Sequence, residues 1–247
     1  MNILRKIIWY LASKKIYKIT CPTNDTYKDM IKYRFLSDKL VVLNDPIINV
    51  KNIKESKKIS PTANDKILDM VNNKNFFLSI GRFTKQKNFF FYLECIPEIL
   101  KLNKDLFFLF IGHGEDKNNF LKLAKKLNIL DRIFLIDYTN NVHFFMNKSK
   151  AFILTSLWED PGFVLVESGF NNCQVISSDC PNGPLEIIGN DGGYLFKSNS
   201  KISFINTVKN FLNDSDENRF LKKITLKKRV KNFTSFRHFL KIKKILI

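Results

Sequence analysis

Over residues 74–196, short apolar runs alternate with helix-length amphipathic stretches, and this rhythm restricts the chain to few folds. Phe76–Ile80 and Leu106–Ile111 are continuous apolar runs that each end on a glycine, Gly81 or Gly112, the pattern of a strand buried on both faces. Ile133–Ile136, Ala151–Thr155, Gln174–Ser177 and Tyr194–Phe196 read as shorter strands of the same kind. Between them lie helical stretches. Asn88–Leu102 contains Pro97, a kink or break. Glu115–Leu127 has Phe120, Leu121, Leu123, Ala124 and Leu127 at helical spacing. Val142–Lys148 and Gly162–Asn171 complete the set. Strands alternating with helices form β-α units, so the chain is predicted to be α/β, with a parallel sheet flanked by helices on both faces. Ligands of such sheets bind at the carboxyl ends of the strands. The informative loops are therefore those opening at Gly81, Gly112, Asp137, Ser156 and Ser178.

The ends of the chain differ from this middle. Lys15–Cys21 and Lys39–Leu43 read as strands around a helix over Asp25–Phe35, too little for an independent domain, and Asn44-Asp45-Pro46 turns the chain. Residues 51–73, polar at their start and carrying Ser60-Pro61, read as a linker. After Phe196 three helices are predicted, over Ser203–Leu212, Glu217–Asn232 and Ser235–Ile247. The apolar stripe Ile3, Leu4, Ile7, Ile8 and Leu11 is interrupted by Arg5 and Lys6. It matches neither a signal peptide nor a membrane span, which needs about 18 apolar residues, so the chain reads as cytoplasmic. Cys21, Cys95, Cys173 and Cys180 lie at no disulfide-framework or metal spacing and read as reduced thiols.

The net charge of +18, from 41 Lys and Arg against 23 Asp and Glu, suits nucleic acid, an anionic membrane surface or phosphorylated small molecules. A bias toward Lys, Asn, Ile and Phe accounts for part of it. No module interleaving basic and aromatic stacking positions is visible, so nucleic acid is not the expected partner. An anionic membrane is a possible peripheral one.

Four segments carry chemistry. Gly81-Arg82-Phe83-Thr84-Lys85-Gln86-Lys87-Asn88 sits between a strand and a helix. Arg82 offers a planar fork and Lys87 a point charge, a pairing that suits a diphosphate. Gly112-His113-Gly114 is a second glycine turn in the same setting. In the third segment, Glu159-Asp160-Pro161-Gly162-Phe163-Val164-Leu165-Val166-Glu167, a helix is expected to start near Pro161 or Gly162, with Pro161 in its first turn. The open amides of Gly162, Phe163 and Val164 then favour an anion or sugar oxygens. Glu167, set among apolar neighbours, needs a partner, and a ribose diol would supply two donors. The fourth, Ser178-Asp179-Cys180-Pro181-Asn182-Gly183-Pro184, is a polar turn into a helix. Asp214-Ser215-Asp216 matches a metal-binding D-x-D text but lies between two helices, where Asp acts as a cap. No metal site is expected.

In order and spacing, these segments, followed by Gly192-Gly193-Tyr194-Leu195-Phe196, resemble the group 1 glycosyltransferases (family GT4, GT-B fold). The resemblance implies that residues 74–232 are the Rossmann-like, nucleotide-sugar-binding domain of a retaining enzyme. Residues 1–50 would be a remnant of the N-terminal acceptor domain with the interdomain connection, and residues 233–247 a helix crossing back to it. Arg82, Lys87 and Glu159 would be catalytic, the cations on the leaving diphosphate and Glu159 on the donor sugar. Donor binding would fall to Gly81, Gly112, Gly114, Asp137, Tyr138, Gly162, Phe163, Val164 and Glu167, with Asp137 and Tyr138 beside the base and Glu167 on the ribose. No cofactor is implied beyond the nucleoside-diphosphate sugar. The partners implied are that donor, a glycan or lipid-linked acceptor, and a separate chain if one supplies the rest of the N-terminal domain. The acceptor chemistry suggests surface polysaccharide assembly. The alternative is an inactive or split donor-binding half.

Overall fold

The computed structural model describes residues 3–56, 58–73 and 75–247. Six strands form the main sheet: β3 (Phe76–Ile80), β4 (Phe107–Ile111), β5 (Ile133–Ile136), β6 (Ala151–Leu154), β7 (Val175–Ser178) and β8 (Tyr194–Phe196). Their order is β5-β4-β3-β6-β7-β8, and every pairing is parallel. The predicted α/β class and six runs are therefore present, with ends within two residues of those read from the pattern. A separate pair, β1 (Ile19–Cys21) and β2 (Leu40–Val42), is also parallel. It is preceded by α1 (Ile3–Ser13) and spanned by α2 (Asn24–Ile31).

Two apolar layers sandwich the main sheet. On one side Phe76, Leu78, Leu109 and Phe152 pack with Leu165, Val166, Leu226 and Val230. The last four come from α8 (Phe163–Phe170) and α11 (Asp216–Val230). On the other side Phe108, Phe110 and Ile153 pack with Tyr92, Phe120 and Phe204, from α5 (Phe89–Leu102), α6 (Lys117–Lys126) and α10 (Lys201–Asn213). Phe83, Phe89, Phe110 and Phe120 meet largely edge to face at 4.8–5.2 Å between centroids, the geometry aromatic quadrupoles favour. The four cysteines are free and buried. Burial raises the thiols of Cys173 and Cys180 to about 11, so they stay protonated and unreactive at neutral pH.

Three sequence expectations change. Residues 51–73 are not a structureless linker: α3 (Val50–Ser56) and α4 (Asp65–Asn72) occupy much of the stretch. Ile53, Ile67, Met70 and Val71 are buried in the main core. The polar residues hid a stripe of apolar positions that finds its partner only across the fold. Pro97 does not break its helix, since α5 runs through it. Pro161 lies outside α8, which begins at Phe163 behind a left-handed Gly162 cap; the Asp160–Pro161 bond is cis.

Asp214, Ser215 and Asp216 lie at a helix junction. Asp214 accepts from Tyr194 Oη at 2.6 Å, Ser215 caps α11 through Asn218 N at 3.1 Å, and Asp216 pairs with Arg219 at 2.6 Å. α9 (Pro184–Ile188) follows the fourth segment, and α7 (Val142–Lys148) precedes β6. The last helix, α12 (Ser235–Leu246), returns to the β1–β2 unit. His238 Nδ1 donates to Asn44 O at 2.7 Å, Lys241 to Asn44 Oδ1 at 2.8 Å, and Tyr17 Oη to Ile245 O at 3.3 Å.

Close packing of α8 on α11 rests on a missing side chain. A Cβ at Gly169 would stand 2.7 Å from Leu226 Cγ and 3.0 Å from Val230 Cγ1. Gly169→Val is therefore expected to lower unfolding stability by about 1–3 kcal/mol, the usual cost of overpacking a core. Urea titration checks this, and an unchanged midpoint would show that the helices can part without cost.

Candidate active site

The sheet changes direction of growth between β3 and β6. From β3 the chain crosses to β4 on one side, and from β6 to β7 on the other, so the loops leaving these neighbouring strands diverge. A crevice opens at such a switch point.

On the β3 side, backbone pairing continues past the strand ends. Gly81 N donates to Ile111 O at 2.9 Å, Phe83 N to His113 O at 2.9 Å, and Gly112 N to Ile136 O at 2.8 Å. The loops lie so close that a Cβ on Gly112 would fall 2.0 Å from Gly81 O, and one on Gly114 2.5 Å from Phe83 O. Glycine is required at both by this approach. Phe83 is buried in the aromatic core and anchors the loop, while its neighbour Arg82 is exposed. Among the described residues the Arg82 guanidinium has no carboxylate partner. His113 contributes its carbonyl to the stack, and its side chain is exposed.

Lys87 lies with its aliphatic stem over Gly81, where a Cβ would come within 3.0 Å of Lys87 Cε. Its Nζ pairs with Glu159 Oε1 at 2.7 Å, and Ser156 Oγ donates to the same oxygen at 2.5 Å. Glu159 is only 4% exposed. Further bonds lace the β3 loop to the β6 loop. Leu157 N donates to Gln86 O at 2.9 Å, Gln86 Nε2 to Trp158 O at 3.0 Å, and Thr155 Oγ1 to Lys87 O at 2.9 Å. The loop after β7 joins them. Ser178 Oγ donates to Ser156 O at 2.7 Å, and Glu159 N to Pro181 O at 3.1 Å.

Helix α8 starts beside this pair. Gly162 caps it at φ +86°, and a Cβ there would lie 3.4 Å from Glu159 Cγ. Leu165 N bonds back to Gly162 O at 2.9 Å, so the amides of Phe163 and Val164 precede the helical ladder and are available to an anion. Glu167, farther along α8, is half-buried. Among the described residues no donor reaches its carboxylate, and burial raises its pKa because the charged form is the one desolvated.

The structure thus brings together Gly81, Lys87, Glu159 and Gly162, with Gly112 and Gly114 stacked alongside. Lys87 is engaged by Glu159, and Arg82 lies exposed on the same loop. Asp137 and Tyr138 follow β5, two strands away from β3. Asp137 pairs with Lys117, and Tyr138 is 74% exposed. Sequence reasoning assigned no role to Ser156, Thr155, Gln86 or Ser178. Thr155, Gln86 and Ser178 each donate to another loop, and Ser156 donates to Glu159 within its own, roles that no spacing announces.

Removing one member of a buried ion pair leaves the other charge uncompensated, at a cost of about 3–5 kcal/mol. Lys87→Met should therefore destabilise the protein strongly, and Glu159→Gln in the same chain should restore much of the loss. A double-mutant cycle by chemical denaturation measures this coupling; additive losses would mean that the two groups do not depend on each other.

Residues 62–228 match the family described as Glycosyl transferases group 1. The chain is 28% identical over 233 residues to the N-acetylgalactosamine-N,N'-diacetylbacillosaminyl-diphospho-undecaprenol 4-alpha-N-acetylgalactosaminyltransferase of Campylobacter jejuni, covering 94% of this chain and 60% of that protein. It is 25% identical over 256 residues to the UDP-Gal:alpha-D-GlcNAc-diphosphoundecaprenol alpha-1,3-galactosyltransferase of Escherichia coli, covering 100% of this chain and 64% of that one. In fold it is similar to a glycosyltransferase from Rickettsia africae, with a TM-score of 0.81 at 18% identity, over 100% of this chain and 68% of the other. It is also similar to the Anabaena protein HepE in complex with UDP and glucose, with a TM-score of 0.76 at 11% identity, over 100% and 67%. The chain spans less than two thirds of the length of the two curated relatives. The matched segment covers well over half of the chain and contains the β3, β4 and β6 loops, and on that ground the chain belongs to the group 1 glycosyltransferases.

Proposed function

We propose that this chain binds a nucleoside-diphosphate sugar and serves a retaining transfer of the sugar to a glycan or lipid-linked acceptor, in surface polysaccharide assembly. The observation that carries the reading is the Lys87–Glu159 pair at the crevice, with Lys87 on the same loop as Arg82 and the buried Glu159 next to the open start of α8. A cation and a carboxylate held side by side suit a donor whose phosphate and sugar hydroxyls are adjacent. As the glycosidic bond to phosphate breaks, positive charge develops on the sugar, as in glycoside hydrolysis, and negative charge on the departing diphosphate. Arg82, Lys87 and the α8 N-terminus stabilise the latter. Glu159, with the amides of Gly162, Phe163 and Val164, orients the sugar. Glu167 accepts from the ribose diol, and Asp137 and Tyr138 flank the base. The proposed acceptor class is supported by the diphospho-undecaprenol acceptors named for the two bacterial relatives. UDP, named in the HepE complex, is the natural first probe.

A second reading has its own observation. β1 and β2 form a sheet of two strands, fewer than an independent sheet needs. In this reading residues 1–50 and 233–247 belong with an acceptor-side domain, and the donor half works only when a second polypeptide completes it. UDP binding without turnover of a UDP-sugar by the chain alone would favour it.

Alanine at both Arg82 and Lys87 is expected to weaken UDP far more than uridine in calorimetry, by about tenfold or more for the diphosphate. Equal losses for both ligands would remove the phosphate role. Glu167 gives a pH test. Its pKa is raised by burial, and the diol is bound by the ionised form. Uridine affinity should therefore be full above that pKa and fall as pH drops through it, and Glu167→Gln should flatten the profile. A wild-type profile that is already flat would rule out the ribose contact.

A further inference from the structure

In the loop after β6, Glu159 is 4% exposed, yet its two neighbours in the chain, Trp158 and Asp160, lie at the surface, Trp158 at 45%. Their backbone is anchored. Leu157 N donates to Gln86 O at 2.9 Å, Gln86 Nε2 to Trp158 O at 3.0 Å, and Glu159 N to Pro181 O at 3.1 Å. These three bonds tie residues 157–159 to the loops after β3 and β7. The two exposed side chains are left unengaged. Among the described residues no ring or cation packs on the Trp158 indole, no acceptor meets its Nε1, and no donor reaches the Asp160 carboxylate. The lip of the crevice therefore presents a large aromatic face, a ring that a fold ordinarily covers, with a free carboxylate two residues away on the same anchored segment.

We infer that Trp158 and Asp160 form a subsite for a neutral sugar ring of the acceptor, on the donor half itself; the inference rests on the glycosyl-transfer reading above. The face of an indole carries negative charge, and one face of a pyranose presents a row of weakly positive C–H groups, so the two stack. A carboxylate beside the ring accepts from the hydroxyls at the sugar's edge. Other ligands fail on one of the two residues. A phosphate is repelled by Asp160, and an apolar protein surface would bury that carboxylate without a partner. In the reading above the nucleobase lies with Asp137 and Tyr138 after β5, and β4 and β3 stand between that strand and β6. The donor sugar is met by the buried Glu159 and the amides at the start of α8. The exposed pair beside it is left for the sugar that arrives from outside the crevice, which is the acceptor's. Because the backbone is already held, little ordering is needed when that sugar binds.

The test uses the whole chain, with methyl α-N-acetylgalactosaminide and methyl α-N-acetylglucosaminide as probes. The protein has two tryptophans, so Trp9→Phe makes Trp158 the sole indole emitter. Its emission should shift to the blue saturably with at least one probe, and the shift should persist at saturating UDP. Saturation-transfer NMR titrations with the same probe then compare variants at the subsite. Trp158→Phe keeps a ring and should retain binding. Trp158→Leu is apolar but has no π-face, and should weaken binding about fivefold or more. Asp160→Asn should weaken it about threefold or more. No saturable shift with either probe, displacement of the probe by UDP, or equal binding by Trp158→Leu and Trp158→Phe would overturn the subsite. UDP binding is scored separately by calorimetry: its absence strikes the donor reading, whereas lack of sugar binding with UDP binding intact strikes the subsite alone.

Discussion

The contact between Lys87 and Glu159 joins two loops that the sheet topology drives apart. β3 and β6 are neighbours, yet their chains leave in opposite directions, and a crevice there is unavoidable. A half-buried cation and a buried carboxylate at 2.7 Å, with a serine hydroxyl on the same oxygen, hold its edges at a fixed separation. Such a pair contributes little net stability, because both groups lose water. Its value is positional: any ligand entering the crevice meets a preset charge arrangement, the condition for electrostatic stabilisation without reorganisation.

The backbone makes that placement possible. Phe83 is locked in an aromatic cluster, which turns Arg82 outward. Gly112 and Gly114 let the next loop lie directly on the first. The side chains that meet a ligand are thus fixed by core packing on one side and by inter-loop hydrogen bonds on the other. α12 has a different logic: it holds the β1–β2 unit through His238 and Lys241, both bonded to Asn44.

Much of the architecture was legible from local pattern. Continuous apolar runs ending in glycine marked buried parallel strands, since a strand covered on both faces has no polar side to display. Legibility failed where structure depended on remote partners. The polar stretch over residues 51–73 hid α3 and α4, whose few apolar residues gain their helical context only by packing on the main core. Pro97 is accommodated within α5, although its ring removes a backbone donor. Pro161 reads as a first-turn residue, but Gly162 in the left-handed region takes the cap and moves the helix start beyond it.

The sequence by itself determined the fold class, the order of strands and helices over residues 74–196, and which loops carry charge and glycine, because those depend on periodicity and on residues adjacent in the chain. Only the tertiary structure decided that Lys87 is held by Glu159, that Ser156 and Ser178 bind the loops together, and that among the described residues no donor reaches the Glu167 carboxylate. Those are relations between residues many positions apart, and a hydrogen bond or a desolvated charge exists only once the sheet order has brought its partners within reach.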